Sequence, residues 1–195
     1  MRKAILVSVL GLSLLQLQGC VPLVATGAGA GVMMATDRRS SGIYIEDQEI
    51  ELRAANRIRD AFPGYNVHVN FTSYNQQVLI TGEVPDEDTK QKINTIVMGV
   101  GNVKSTYNEL RVSTVTLLSA RSNDAYITSK VKARFFDAQR FPATAVKIVT
   151  EAGVVYLMGM VTQQEGTDAA QIASTTSGVA KVVKLFEYIA KAPDA

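Results

Sequence analysis

The sequence predicts an α+β fold made of two tandem αββαβ units, each a three-stranded mixed sheet packed against two helices. An internal repeat indicates the two units, because apolar and glycine positions return after 77 residues: Ile50 at Ile127, Val69 at Val146 and Gly82 at Gly159. Within each unit, some segments have apolar residues at helical spacing and others alternate as strands do. Two helices on one face of a small sheet give an α+β sandwich.

The N-terminus has the features of a bacterial secretion signal. A basic start precedes an apolar run over 4–17, which is shorter than the about 20 residues that a membrane-spanning helix needs. Cys20 is the one cysteine of the 195-residue chain, and it follows Gly19 where a signal peptide would be cleaved, an arrangement that resembles the bacterial lipobox. We therefore expect a signal peptide at 1–19, a covalent lipid on Cys20 and no other cofactor.

The charge of the chain changes when the signal peptide leaves. Arg2 and Lys3 are removed with it, so the formal net charge of +2 falls to zero in the mature chain. A neutral chain lacks the basic surplus of nucleic-acid-binding proteins, and no nucleic-acid partner is predicted. Val21 follows Cys20 where an aspartate would favour the inner membrane, so we expect the periplasmic face of the outer membrane in a Gram-negative bacterium.

Catalytic and metal-binding motifs are not evident. One cysteine and one histidine exclude a disulfide framework and a multi-histidine metal site. His68 is predicted on the outward face of a strand, and no nucleophile–base pair can be assigned, so we expect no catalytic residue and no enzyme activity. The acidic run 86–88 is an alternative cation site, but the N-terminus of a helix explains it more simply. No metal ligand is predicted.

Composition divides the mature chain into segments. Glycine and alanine residues after Cys20 predict a flexible tether, and the repeats follow it. The predicted segments are a lipidated N-terminus and tether at 20–45, a first unit at 46–113, a linker at 114–121, a second unit at 122–190 and a C-terminal tail at 191–195. Each unit is near the lower size limit for an independent core, so the two are expected to pack on each other.

The first unit begins with a predicted helix. Apolar residues recur at every fourth position over 50–62, and a Pro-Gly pair then ends the helix. Alternating apolar residues over 67–84 predict a β-hairpin. Asp86 is the predicted N-cap of a second helix, Gly99 ends that helix, and the closing strand starts at Val103.

The second unit repeats the same order of elements. Its first helix is predicted at 124–138, and its strands at 144–150, 154–160 and 181–189. Thr162 and Glu165 have the spacing of a capping box at the start of its second helix. Gly178 is the predicted end of that helix.

These units resemble the BON domain family. The resemblance rests on a strand that ends in Gly-x-Val, a helix that ends in Gly-Val, and a closing valine strand that contains Asn108 in the first unit. Glu187 takes the place of Asn108 in the second unit, where the family pattern is weaker. The resemblance implies a non-enzymatic protein with two BON domains that binds anionic phospholipid and supports the integrity of the cell envelope.

The first helix of the second unit is the candidate lipid-contact element. Ile127, Val131 and Phe135 form its core face, which places Phe136 on the opposite side. The predicted phospholipid-binding residues lie on or beside that outer side: Tyr126, Ser129, Lys130, Lys132, Ala133, Arg134, Phe136 and Arg140. Aromatic rings beside cations are typical of a helix at an anionic membrane surface. The resemblance likewise implies a phospholipid site on this helix.

Two other interpretations are open at this point. In one, Tyr126 and Phe136 are buried against the first unit and the lysines form a solvated rim. In the other, the exposed helix binds an envelope or division-site protein, and the chain is a lipid-tethered adaptor in cell-wall remodelling. The matching helix of the first unit has mixed charges at Glu49, Arg53 and Asp60, so the lipid role is assigned to the second unit.

Overall fold

A computed structural model describes residues 37–64, 67–116 and 118–192 of the chain. The predicted signal peptide, the predicted lipidation site Cys20 and most of the predicted tether lie outside these described residues. None of the helices in the described ranges is long and apolar enough to cross a membrane.

The first unit has the predicted αββαβ order, with its last strand in two pieces. Its elements are α1 (Ser41–Ala61), β1 (His68–Tyr74), β2 (Gln77–Val84), α2 (Glu87–Met98), β3 (Ser105–Asn108) and β4 (Arg111–Val112). The central strand β2 is antiparallel to β1 and parallel to β3 and β4, so the sheet is mixed. Asp86 caps α2 by accepting a hydrogen bond from the Thr89 backbone at 2.6 Å, and Gly99 is the C-cap, as predicted.

The second unit has the same order of elements. They are α3 (Leu118–Ala138), β5 (Lys147–Glu151), β6 (Val154–Val161), α4 (Gln163–Ser174) and β7 (Lys181–Tyr188). The central strand β6 is antiparallel to β5 and parallel to β7. The predicted capping box is present, because Thr162 and Glu165 each bond to the other's backbone N–H.

Four element boundaries differ from the prediction by three residues or more. Helix α1 begins at Ser41, inside the predicted tether 20–45, because Ser40 caps it by accepting from the Ile43 backbone. Helix α3 begins at Leu118, inside the predicted linker 114–121, where no glycine or proline stops it. A 3₁₀ turn over 143–145 delays β5 to Lys147. Helix α4 ends at Ser174, before the predicted Gly178, because threonine hydroxyls bond the carbonyls of its last turn.

The last strand of the first unit is interrupted at Asn108. Its side-chain oxygen accepts a hydrogen bond from the Leu110 backbone at 3.4 Å, and its amide donates to the Lys90 carbonyl of α2 at 3.2 Å. These bonds compete with the strand ladder. The chain bends there and Leu110 is buried in the core. Glu187 occupies the equivalent place in the second unit, and β7 continues through it without a break.

Strand periodicity gives each sheet two buried faces. On β2, Val78 and Ile80 point to the helices α1 and α2, whereas Leu79 points away from them. On β6, Val155 and Leu157 point to α3 and α4 in the same way. The outward-facing apolar residues of both sheets form one shared cluster: Tyr74, Leu79, Tyr156, Met158 and Leu185. The two units therefore pack sheet against sheet, with their helices outside.

Each unit uses a buried aspartate to hold its hairpin turn. Asp47 on α1 accepts hydrogen bonds from the backbone N–H groups of Asn75 and Gln76, both at 2.8 Å. In the second unit, Asp124 on α3 accepts from Ala152 and Gly153, also at 2.8 Å. The two aspartates are 77 residues apart, so this contact is part of the repeat.

Two consecutive arginines before α1 bind different units. Arg38 forms a bidentate ion pair with Glu165 at the start of α4, at 2.7 and 2.8 Å, and donates to the Met160 carbonyl. Arg39 pairs with Asp47 at 2.7 Å, and its guanidinium lies 4.2 Å from the centre of the Tyr74 ring. Both side chains are buried. We call these two residues the arginine clamp.

Replacing Arg38 with glutamine should destabilise the fold by about 2 kcal/mol near neutral pH, because a charged hydrogen-bonded pair is lost. The hydrogen bonds from Arg38, which contribute most, and from Thr162 lower the pKa of Glu165 from 4.5 to about 2. A carboxyl whose pKa is lowered by folding contributes stability above its unfolded pKa and loses it as the pH falls. The difference between wild type and variant should therefore shrink between pH 4.5 and about 2.

Urea unfolding at several pH values measures this difference. Arg59→Gln is the control, since the Arg59 side chain is 73% exposed and its pairing with Asp60 should contribute little. An Arg38→Gln variant as stable as the control at neutral pH would contradict the arginine clamp.

Candidate functional site

Helix α3 is held on its sheet by one apolar face. Ile127, Val131 and Phe135 are spaced one helical turn apart, and each is at most 1% exposed. Phe135 also packs edge-to-face on Phe141, with ring centres 5.0 Å apart. The first sheet contacts the other side of β6, so the opposite face of α3 is left to solvent.

Two aromatic side chains project from that opposite face. Tyr126 and Phe136 are each 62% exposed, and they lie about 15 Å apart along the helix axis. The interpretation that buries them against the first unit is therefore wrong.

Polar and small residues lie between the two rings. Lys132 and Ala133 are exposed, and Lys132 forms no ion pair within the part of the chain that the structure describes. Lys130 lies with its ammonium 4.6 Å from the centre of the Tyr126 ring and donates to the Ser177 carbonyl. The Ser129 hydroxyl donates to its own helix, at the Tyr126 carbonyl. We call Tyr126, Ser129, Lys130, Lys132, Ala133 and Phe136 the α3 outer face.

Arg134 lies at the margin of this surface and has a structural role. Its guanidinium donates to the Ile172 carbonyl at 2.9 Å and to the hydroxyls of Thr175 and Thr176 at 3.1 and 2.8 Å. These acceptors lie at the C-terminal end of α4 and just beyond it, where the helix dipole favours a cation. The geometry thus uses Arg134 to join α3 to α4, a function that helical periodicity could not reveal.

Arg140 follows the C-terminal end of α3. It is paired with Asp168 of α4 at 3.2 Å, although its own side chain remains 51% exposed. Together with Phe136, Phe141 and Pro142 it borders an open cleft of about 460 Å³. The 3₁₀ turn after Pro142 forms one side of this cleft, which no local sequence pattern reveals.

The equivalent helix of the first unit offers a different surface. Leu52 on α1 is 63% exposed, which is close to the exposure of Phe136. Its neighbour Arg53, however, is bound to Glu46 and Glu49 at 2.7 and 3.0 Å. The cation beside the apolar side chain is therefore neutralised on α1, whereas Lys132 on α3 is not.

Comparison with known proteins identifies the repeats. The BON domain profile matches residues 47–114 and again residues 123–190. The chain belongs to the BON domain family, and it contains two copies of the domain.

Curated relatives narrow this class further. The chain is 41% identical over 174 residues to the outer membrane lipoprotein DolP of Haemophilus influenzae, covering 89% of this chain and 90% of the relative. It is 31% identical over 154 residues to the 21 kDa hemolysin of Actinobacillus pleuropneumoniae, covering 78% and 79%. It is a BON lipoprotein of the DolP type, and the predicted outer-membrane location is confirmed.

Proposed function

We propose that this protein is a non-enzymatic lipoprotein that docks on anionic phospholipid through the α3 outer face and thereby supports the cell envelope. The observation that carries the proposal is the pair of 62%-exposed rings, Tyr126 and Phe136, on one helix face beside Lys130 and Lys132. Rings of this kind enter the headgroup region, and lysines beside them meet lipid phosphates.

Apolar burial and charge contribute comparable amounts to docking. Moving one exposed phenylalanine ring out of water contributes about 2 kcal/mol. Each basic residue near an anionic surface adds about 1 kcal/mol. Arg140, already paired with Asp168, contributes less than an unpaired cation. The α3 outer face alone thus supports reversible docking.

The proposal gives Cys20 the complementary role of anchor. Acyl chains on Cys20 would hold the protein on the membrane, since several chains bind far more tightly than one. The folded part of the protein then needs only a weakly binding surface to select anionic lipids near the anchor. Helix α3 supplies charge and ring contacts for that choice, and it lacks the length of apolar sequence needed to cross the membrane.

A lipid titration followed by NMR tests the proposal residue by residue. The sample is the mature chain with Cys20→Ser, so that no acyl chain or thiol contributes. Phosphatidylglycerol micelles should shift the amide signals of the α3 outer face, and phosphatidylcholine micelles should shift them less. Unshifted α3 signals, or equal shifts on α1, would reject the proposal.

Replacing Lys132 with glutamine should weaken binding to phosphatidylglycerol vesicles about fivefold, since one cation near the surface contributes about 1 kcal/mol. The effect should disappear in about 1 M salt, where the Debye length is about 3 Å. Vesicle co-sedimentation measures it. Lys92→Gln on α2 removes another exposed lysine, which lies outside the α3 outer face, and should leave binding unchanged.

Photo-cross-linking in cells separates lipid docking from the adaptor role. Ala133 lies exposed between the two rings, so a photoreactive residue there leaves both rings in place. Adducts with phospholipid support docking. One dominant protein adduct, with no lipid adduct, would support the tethered adaptor instead.

A further inference from the structure

Three potential metal ligands come together where the two BON domains meet. His68 lies on β1, Glu83 on β2 and Glu151 on β5, and one ligand atom from each lies within 4.8 Å of the others. His68 was predicted on an outward face. Its side chain is instead only 18% exposed, because the second domain covers this end of the first sheet.

Glu83 is fully buried and fully paired. His68 contacts its carboxylate at 3.0 Å, Arg111 at 3.2 Å, and Thr116 through its backbone and hydroxyl. Burial alone would raise the pKa of Glu83, but these hydrogen bonds outweigh burial and hold the pKa below its usual 4.5. Glu83 is therefore a carboxylate whose charge is matched by Arg111.

Glu151 forms no ion pair with an arginine or lysine among the described residues. It is 7% exposed, and its hydrogen-bond donor among the described residues is the neutral amide of Asn70, at 3.2 Å. A carboxylate buried without a cation is costly, and a bound metal cation would offset that cost.

We propose that His68, Glu83 and Glu151 bind a divalent transition-metal ion of the zinc type across the two BON domains. An imidazole with two carboxylates suits zinc, whereas calcium and magnesium take oxygen ligands. Tetrahedral ligand bonds of about 2.1 Å place ligand atoms about 3.4 Å apart, so atoms that are now up to 4.8 Å apart would have to approach by as much as about 1.4 Å. Metal ligation would replace the present 3.0 Å contact between His68 and Glu83. Water would complete the coordination. The metal would pair with the Glu151 side chain and would join β5 to β1 and β2.

Calorimetric titration with zinc chloride tests the site. The mature chain with Cys20→Ser removes the only thiol, and His68 is then the only imidazole or thiol ligand left. We expect one zinc ion per chain. His68→Ala and Glu151→Gln should each weaken binding more than about tenfold, since loss of a supporting residue alone costs about that much. Glu87→Gln, at the exposed start of α2, is the control and should bind as wild type.

Thermal unfolding distinguishes a metal ligand from a merely structural glutamate. In chelator, Glu151→Gln should unfold at the wild-type temperature or above it, because a neutral amide replaces a buried carboxyl group that forms no ion pair with the described residues. Zinc should raise the melting temperature of the wild type and should leave that of Glu151→Gln unchanged. The site is wrong if wild type binds no zinc, if both ligand variants bind as tightly, or if zinc stabilises Glu151→Gln equally.

Discussion

Replacing Phe136 with glutamate should abolish binding to phosphatidylglycerol vesicles while leaving the fold intact. The variant loses about 2 kcal/mol of apolar transfer and gains a repelled charge that costs about 1 kcal/mol, which together weaken binding about a hundredfold. The fold should be unaffected because the side chain is 62% exposed and contributes little to the core. Vesicle co-sedimentation and the unfolding midpoint in urea are the two measurements.

Leu52→Glu is the matched control for this experiment. Leu52 occupies the outer side of α1, and its 63% exposure equals that of Phe136 within one per cent. The substitution introduces the same charge on the equivalent helix of the other BON domain, so wild-type binding is expected. Equal losses in both variants would mean that net charge decides binding, and the α3 outer face would no longer be the docking site.

Replacing Gly82 with alanine should destabilise the protein by about 4 kcal/mol, because strain and overpacking each contribute about 2 kcal/mol. Gly82 has a φ of +121°, and a Cβ atom there would lie 1.9 Å from the His68 carbonyl oxygen. That contact lies in the β1–β2 hairpin, so the two strands would have to separate. Urea unfolding measures the loss.

Gly101→Ala tests whether the loss at Gly82 comes from this contact. Nothing lies within 4 Å of the Cβ position at Gly101, and its φ is ordinary, so the change in unfolding free energy should be within about 0.5 kcal/mol. Gly159 is the equivalent glycine of the second domain, and a Cβ atom there would lie 2.4 Å from the Ala145 carbonyl oxygen. Gly159→Ala should therefore also destabilise the protein. If Gly82→Ala were as mild as Gly101→Ala, the glycine of the Gly-x-Val strand would have no steric role.

Much of the candidate site could be predicted from local sequence. The core face of α3 follows from the spacing of Ile127, Val131 and Phe135, and the exposure of Phe136 follows from its place opposite them. What the sequence could not assign was the partner of each cation. Arg134 donates hydrogen bonds to the end of α4, and Arg140 forms an ion pair with Asp168. Both contacts exist because α3 and α4 lie side by side on the sheet.

The sequence by itself determined the two-domain αββαβ order, the alternating strands of each hairpin and the face of α3 that packs inward. These features depend on contacts within a single helix, strand or turn, whose periods of 3.6 and 2 residues are visible in the order of residues. The capping residues Asp86 and Thr162 belong to the same class, since each bonds a backbone N–H three residues away.

Only the tertiary structure decided which residues of the two domains contact each other. The arginine clamp joins Arg38 to Glu165, 127 residues away, and the proposed metal site joins His68 to Glu151 across the same interface. No local period encodes such pairs, because they exist only when both sheets have folded and their outer faces meet. Burial between those sheets removes the Glu151 carboxyl group from water, so its hydrogen bond comes from Asn70 of the other domain, a partner that no local pattern reveals.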